Sequence, residues 1–195
     1  MDRTPPLHIV GVMGSGRAPH TVRSRRVGEW LARAGYHLLT GGGPGVMAAV
    51  TEAFVGVADR PGRAIGILPA VPPGAAGAAA GSAPSGYPNP WVEIAIRTHL
   101  HRLGAHGGAA GSRNHLNVLS SDALIILPGG EGTASEARLA LHYERPCIAY
   151  LAHRNEVPGL PADIRVAPRF EGVVEFVRHA CASRPPQGAS GGVDR

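Results

Sequence analysis

The sequence predicts an α/β fold, a doubly wound and mainly parallel sheet in a Rossmann-like three-layer sandwich, and three observations carry that expectation. Short apolar runs alternate with helical patterns along the whole chain. Glycine-rich breaks stand at the ends of three of those runs, around 14–16, 41–45 and 129–132. The run Ala123, Leu124, Ile125, Ile126, Leu127 is apolar throughout, as expected of a buried strand. Ligands of such sheets bind beyond the carboxyl ends of the strands at the point where strand order reverses, and the three glycine loops are expected to converge there.

Taken in order, residues 7–12 form a first strand that ends in Gly14-Ser15-Gly16, either an ordinary tight turn or a place where backbone approaches a ligand. Over 21–34, Val27, Trp30, Leu31 and Ala34 share one helical face, and Gly35 supplies the stop. Arg23, Arg25 and Arg26 on that helix read as a solvated face. Residues 36–40 form a second strand, followed by Gly41-Gly42-Gly43-Pro44-Gly45 and a helix through Val46, Met47, Val50 and Phe54. Four glycines in five residues exceed what a turn needs, so Gly42, Gly43 and Gly45 join Gly14, Ser15 and Gly16 as candidate ligand contacts. The loop matches neither G-x-G-x-x-G nor the Walker pattern.

Residues 64–68 form a third strand. Residues 70–86 are nearly all Ala, Gly, Pro and Ser, which bury too little apolar surface to offset ordering entropy, so they read as a mobile insertion. Residues 91–96 look like a strand; His99 and His101 follow as exposed loop histidines, and with no third ligand placed by spacing no metal site is expected. A glycine-rich loop over 104–111 leads to Ser112-Arg113-Asn114-His115 and a helix carrying Leu116 and Leu119. After the 123–127 strand come a helical pattern from Thr133, a strand over 146–151, a short edge strand over 164–166 and a closing helix over 173–182. Residues 1–184 are expected to form a single ligand-binding domain, with 185–195 a flexible polar tail.

The chemistry concentrates in LPGGEGTASE, residues 127–136. A strand breaks at Pro128-Gly129-Gly130 and a helix follows, so the unpaired N–H groups of the first turn point outward with the positive end of the helix dipole behind them. That geometry suits a phosphate, with Gly129, Gly130, Gly132 and Thr133 as its contacts. The dipole supplies only about 0.3–1 kcal/mol, so charge-assisted hydrogen bonds of roughly 1.5–3 kcal/mol each must do most of the holding. Glu136 has two readings: a group that acts on the ligand, or the far end of a capping box Thr133-x-x-Glu136. Arg113, a cation at a helix start, is disfavoured there by the dipole and points to an anionic partner.

A net charge of +5 suits an anionic ligand, but the arginines are scattered without a dense run, so nucleic-acid binding is disfavoured. Cys147 and Cys181 are far apart and outside any CxxC pattern, which argues against a disulfide scaffold or zinc. No apolar stretch approaches the ~18 residues of a membrane span, and a cytoplasmic location is expected.

Gly41-Gly42-Gly43-Pro44-Gly45-Val46-Met47, Arg113 ahead of Asp122, and Pro128-Gly129-Gly130-Glu131-Gly132-Thr133-Ala134-Ser135-Glu136 together resemble the Lonely Guy family, formerly grouped as lysine decarboxylases. They resemble still more its relatives, the molybdenum-cofactor carrier proteins. The resemblance implies a Rossmann-like fold and a nucleotide or molybdenum cofactor as bound ligand, with no cofactor needed for chemistry. It also implies assembly as a homodimer or tetramer. In the hydrolytic branch, which releases the base from nucleoside 5′-monophosphates, it would make Arg113 and Glu136 catalytic and the 129–133 backbone the phosphate cradle. Asn114 stands where the family usually has lysine, and Ser135 where it has an acid; both departures lean toward the carrier branch. Arg113, Asn114 and Glu136 complete the expected ligand contacts.

Overall fold

The computed structural model describes residues 7–72, 74, 79, 82–102 and 106–183. Its strands are β1 (Ile9–Met13), β2 (His37–Thr40), β3 (Ala64–Leu68), β4 (Ile94–Arg97), β5 (Ala123–Ile126), β6 (Cys147–Tyr150) and β7 (Arg165–Ala167). Its helices are α1 (Thr21–Arg33), α2 (Val46–Val55), α3 (Asn114–Leu119), α4 (Glu131–His142) and α5 (Phe170–Ala182). The strands form one sheet in the order β4-β3-β2-β1-β5-β6-β7, and every neighbouring pair is parallel. The predicted α/β class is therefore the one the chain adopts.

Successive side chains of a strand point to opposite faces, and the core divides accordingly. Val10, Val12, Leu38, Ala123, Ile125 and Leu127 pack on one face with α1, α2 and α5 residues such as Leu31, Phe54 and Val177. Met13, Leu39, Leu124 and Ile126 pack on the other with Val118 of α3 and Ala134, Ala137 and Ala140 of α4. Burial on both faces explains why these strands read as unbroken apolar runs instead of alternating ones. Each fully buried aliphatic side chain of this kind contributes about 1.5–3 kcal/mol. α1 and α2 approach closely because α1 carries Gly28 where a Cβ would strike the Val50 carbonyl oxygen.

β1 sits between β2 and β5. From β1 the chain runs through α1 to β2 on one side, while β5 lies on the other side and leads into α4, so the connections leaving β1 and β5 part company. A crevice opens at that switch point. Asp122 secures the same junction from the opposite end of the strands, where its carboxylate accepts the Ile9 N–H at 2.8 Å.

Several element edges differ from expectation. β4 starts at Ile94 because the preceding residues serve other contacts: Asn89 is bound to the second glycine loop, and the Glu93 carboxylate accepts the Ala64 N–H at 2.9 Å. α5 starts at Phe170, ahead of 173. α4 starts at Glu131, not Thr133, with extended Gly130 as the residue before it. The capping box that was one of the two readings of Glu136 therefore does not form. Thr133 already lies inside the first turn, and the Glu136 carboxylate accepts a hydrogen bond from Asn117 instead. Parts of the insertion expected over 70–86 and of the 104–111 loop, and the whole 185–195 tail, lie outside the described residues. At the near end of that insertion, Ala70 N–H donates to Leu100 O and Val71 N–H to Ser82 O, each at 2.8 Å. Among the described residues no helix is long and apolar enough to cross a membrane, and no group of three His, Cys, Asp or Glu side chains gathers as metal ligands.

Candidate functional site

A cleft of about 700 Å³ lies at the switch point, lined by the β1–α1 loop, the start of α4, the start of α3 and Tyr87. At its floor the loops are tied together by Ser15. The Ser15 N–H donates to Pro128 O at 2.9 Å, and the Ser15 carbonyl accepts the Val46 N–H at 2.8 Å. Its hydroxyl oxygen accepts the N–H groups of Arg17 and Ala18 at 3.1 and 3.0 Å. The bends after β1 and β5 and the start of α2 are thus joined through one residue.

The first turn of α4 borders the cleft at the other end of this network. Its first intrahelical bond beyond the cap runs from Ala134 N–H to Gly130 O at 3.0 Å, so the amides of Glu131, Gly132 and Thr133 precede the ladder. All three residues line the cleft with Gly130. A Cβ built on Gly130 would meet nothing within 4 Å, so the chain leaves open space there. Gly129 is needed for a different reason: a Cβ would collide with the Thr133 hydroxyl and come within 2.9 Å of the Ser15 N.

Arg113, Asn114 and Glu136 form the cleft's polar inner wall, and all three are buried. Arg113 is aimed by the sheet. Its Nη1 donates to Gly41 O and to Ile67 O, each at 2.6 Å, and its guanidinium carbon lies 5.5 Å from the Tyr87 ring centroid. Gly41 makes room for it, since a Cβ there would overlap the guanidinium. Burial lowers the Arg113 pKa; the nearby Tyr87 and Glu136 oppose that shift. Glu136 accepts from Asn117 Nδ2 at 3.1 Å. Burial raises its carboxyl to about 7, overcoming the opposite pull of the Arg113 charge and the Asn117 bond. The wall therefore holds a proton-exchanging carboxyl near neutrality beside a fixed cation, while Arg113 Nε and Asn117 Oδ1 are buried with no hydrogen-bond partner among the described residues.

Of the residues expected at the site, Gly14, Ser15, Gly16, Arg113, Asn114, Gly130, Gly132, Thr133 and Glu136 line one cleft. Gly42, Gly43 and Gly45 stand one layer behind it. Gly42 and Gly45 have left-handed backbones (φ +72° and +69°), and Cβ atoms at these two and at Gly43 would strike Leu68, the Ser15 carbonyl and the Tyr87 ring. Val12, Met13, Arg17, Met47 and Tyr87 also line the cleft and were not foreseen. Asn117 was not foreseen either, although its i, i+4 spacing from Arg113 on one helix was a signal. Tyr87 left only a faint one, a lone aromatic residue closing an Ala/Gly/Pro stretch.

Known proteins share this fold. The chain is 34% identical over 137 residues to an uncharacterized protein of Archaeoglobus fulgidus, spanning 69% of this chain and 74% of that one. Its fold matches the molybdenum cofactor binding protein of the phototrophic bacterium Rippkaea orientalis with a TM-score of 0.68 and 30% identity, covering 90% of this chain and 98% of that one. It also matches the molybdenum cofactor carrier protein of Chlamydomonas reinhardtii with a TM-score of 0.65 and 27% identity, covering 91% and 99%. The SLOG cluster4 family matches residues 7–164, most of the sheet and the whole cleft wall, and the chain belongs to that family.

Proposed function

We propose that this chain binds a phosphate-bearing small molecule in the switch-point cleft and acts as a carrier of the molybdenum-cofactor type. The observation that carries the reading is the start of α4, where cleft-lining first-turn residues follow a glycine with open space beside it. A phosphate there gains hydrogen bonds from fixed backbone donors without displacing any side chain. A cleft of about 700 Å³ falls within the ~300–1,000 Å³ of small-molecule sites, large enough for a phosphorylated pterin. Two structural relatives named for binding or carrying the molybdenum cofactor support the class of ligand.

A second reading, a Lonely Guy-type phosphoribohydrolase, is favoured by one observation: a buried carboxyl near neutrality beside a cation in the same cleft. In that chemistry the bond between the base and the ribose C1′ breaks, the departing base takes a proton, and water adds at C1′. Ionised Glu136 would stabilise the positive charge that develops there. Asn114 and Ser135, at positions where the hydrolytic relatives carry other groups, favour the carrier.

The two readings separate in one experiment. A panel of nucleoside 5′-monophosphates is incubated with the protein, and mass spectrometry identifies what copurifies with it. The carrier reading expects no base release above background and a phosphorylated pterin among the copurified species. Turnover that falls about 10²–10³-fold in Glu136→Gln, in a variant that remains folded under the assay conditions, would overturn it.

A further inference from the structure

The second glycine loop, rich beyond the needs of a turn, does not line the cleft, yet two of its carbonyls are engaged by one distant side chain and its backbone. Asn89, buried at 5% exposure, donates its backbone N–H to Gly42 O at 2.7 Å and its side-chain amide to Gly43 O at 3.0 Å. Its Oδ1 accepts the Trp91 N–H at 3.1 Å. Pro88 and Pro90 flank it and restrict the backbone on either side, so less chain entropy opposes this docking. Residues 87–91 thus form a strap fastened to the glycine loop.

The strap delivers Tyr87 to the cleft. Gly43 must be glycine for the ring to fit, because a Cβ there would enter it. The guanidinium of Arg113 lies 5.5 Å from the ring centroid, a cation–π distance that holds the ring's position. Half-buried Tyr87 shares the cleft lining with Val12, Met13 and Met47, a group in which the Tyr87 hydroxyl is the one hydrogen-bonding side-chain function. A flat π-system and polarisable thioethers suit an aromatic ring.

We propose that Tyr87 is the specificity-determining wall of the cleft, contacting a planar nitrogen heterocycle in the ligand's organic half, and that Asn89 is its positioning residue. This rests on the phosphate-site reading above and names the residues that meet the ligand's ring. The second glycine loop serves the ligand at one remove, by seating the strap.

Calorimetry with adenosine 5′-monophosphate, ribose 5-phosphate and inorganic phosphate tests it. The wild type should bind the nucleotide more tightly than the sugar phosphate. Tyr87→Leu, which keeps an apolar side chain but removes the π-face, should weaken the nucleotide roughly tenfold or more and leave ribose 5-phosphate unchanged; Tyr87→Phe should retain the preference. Asn89→Ala should produce the same selective loss, and the double variant should lose no more than either single one, since both act through one contact. Equal affinity for nucleotide and sugar phosphate in the wild type, or equal weakening of both in Tyr87→Leu, would overturn the proposal while leaving the phosphate site standing. Failure of all three probes to bind would overturn both.

Discussion

Replacing Glu136 by glutamine should remove a titration from the folding equilibrium and so change the pH dependence of stability. The carboxyl sits at about 7 in the folded chain against an ordinary 4.5, because burial disfavours its charge more than Arg113 and Asn117 favour it. Between those values the folded state holds a proton that the unfolded state has lost. Stability is therefore complete below about pH 4.5, falls as pH rises toward 7, and levels off above that. At about 1.4 kcal/mol for each tenfold difference in proton affinity, the loss is on the order of 3 kcal/mol. Glutamine keeps an acceptor for Asn117 Nδ2 and has no proton to release. Urea unfolding of both proteins at pH 5 and pH 8 in phosphate-free buffer measures the effect, because all other titrating groups cancel in the difference. The variant should gain about 2.5 kcal/mol relative to wild type between the two pH values, slightly less than the full loss because pH 5 already lies above 4.5. A difference that stays constant across that range would refute the reasoning and place the Glu136 carboxyl in contact with water.

Gly130→Asp should fold normally, since the glycine's backbone is extended and the space beside it is open, yet lose phosphate-dependent binding because a carboxylate repels the anion. Unchanged affinity for adenosine 5′-monophosphate would remove the α4 start from the site. Gly28→Ala should destabilise by roughly 1–3 kcal/mol from overpacking, despite a helix-propensity gain of about 1 kcal/mol, because its Cβ would press on the Val50 carbonyl and lie 3.0 Å from Phe54 N. Chemical denaturation with an unchanged midpoint would count against that close helix contact. Light scattering at micromolar concentration should give the mass of a homodimer or larger, with Leu116 and Leu141 exposed at 37% and 38% on α3 and α4. A monomer mass would refute it.

What could be read from the sequence was whatever depends on neighbours along the chain. Apolar runs such as 123–127 and the i, i+3, i+4 spacing in 21–34 reflect local geometry, and the breaks at 14–16 and 128–130 marked the loops of the cleft. What escaped depends on partners far along the chain. Arg113 was expected to seek an anion, yet two of its hydrogen bonds go to carbonyls 72 and 46 residues away. Thr133-x-x-Glu136 has the spacing of a capping box, but the helix begins earlier, so Glu136 lies inside it and meets a second helix. The richest glycine loop, expected among the ligand contacts, stands behind the cleft lining and accommodates Arg113, Tyr87 and Asn89, whose side chains its own sequence does not reveal.

The knot of hydrogen bonds at Ser15 has a kinetic side. Because one residue closes bonds to Pro128, Val46, Arg17 and Ala18, a shift of the β1–α1 bend breaks contacts on two other segments at once. This end of the cleft is therefore preorganised, and a phosphate bound as proposed would dock there as into a mould, with little conformational search before or after contact. In the same reading, adjustment to differently shaped organic halves would fall to Met47, a flexible thioether in the cleft lining, while the loops and the strapped Tyr87 ring stay where they are.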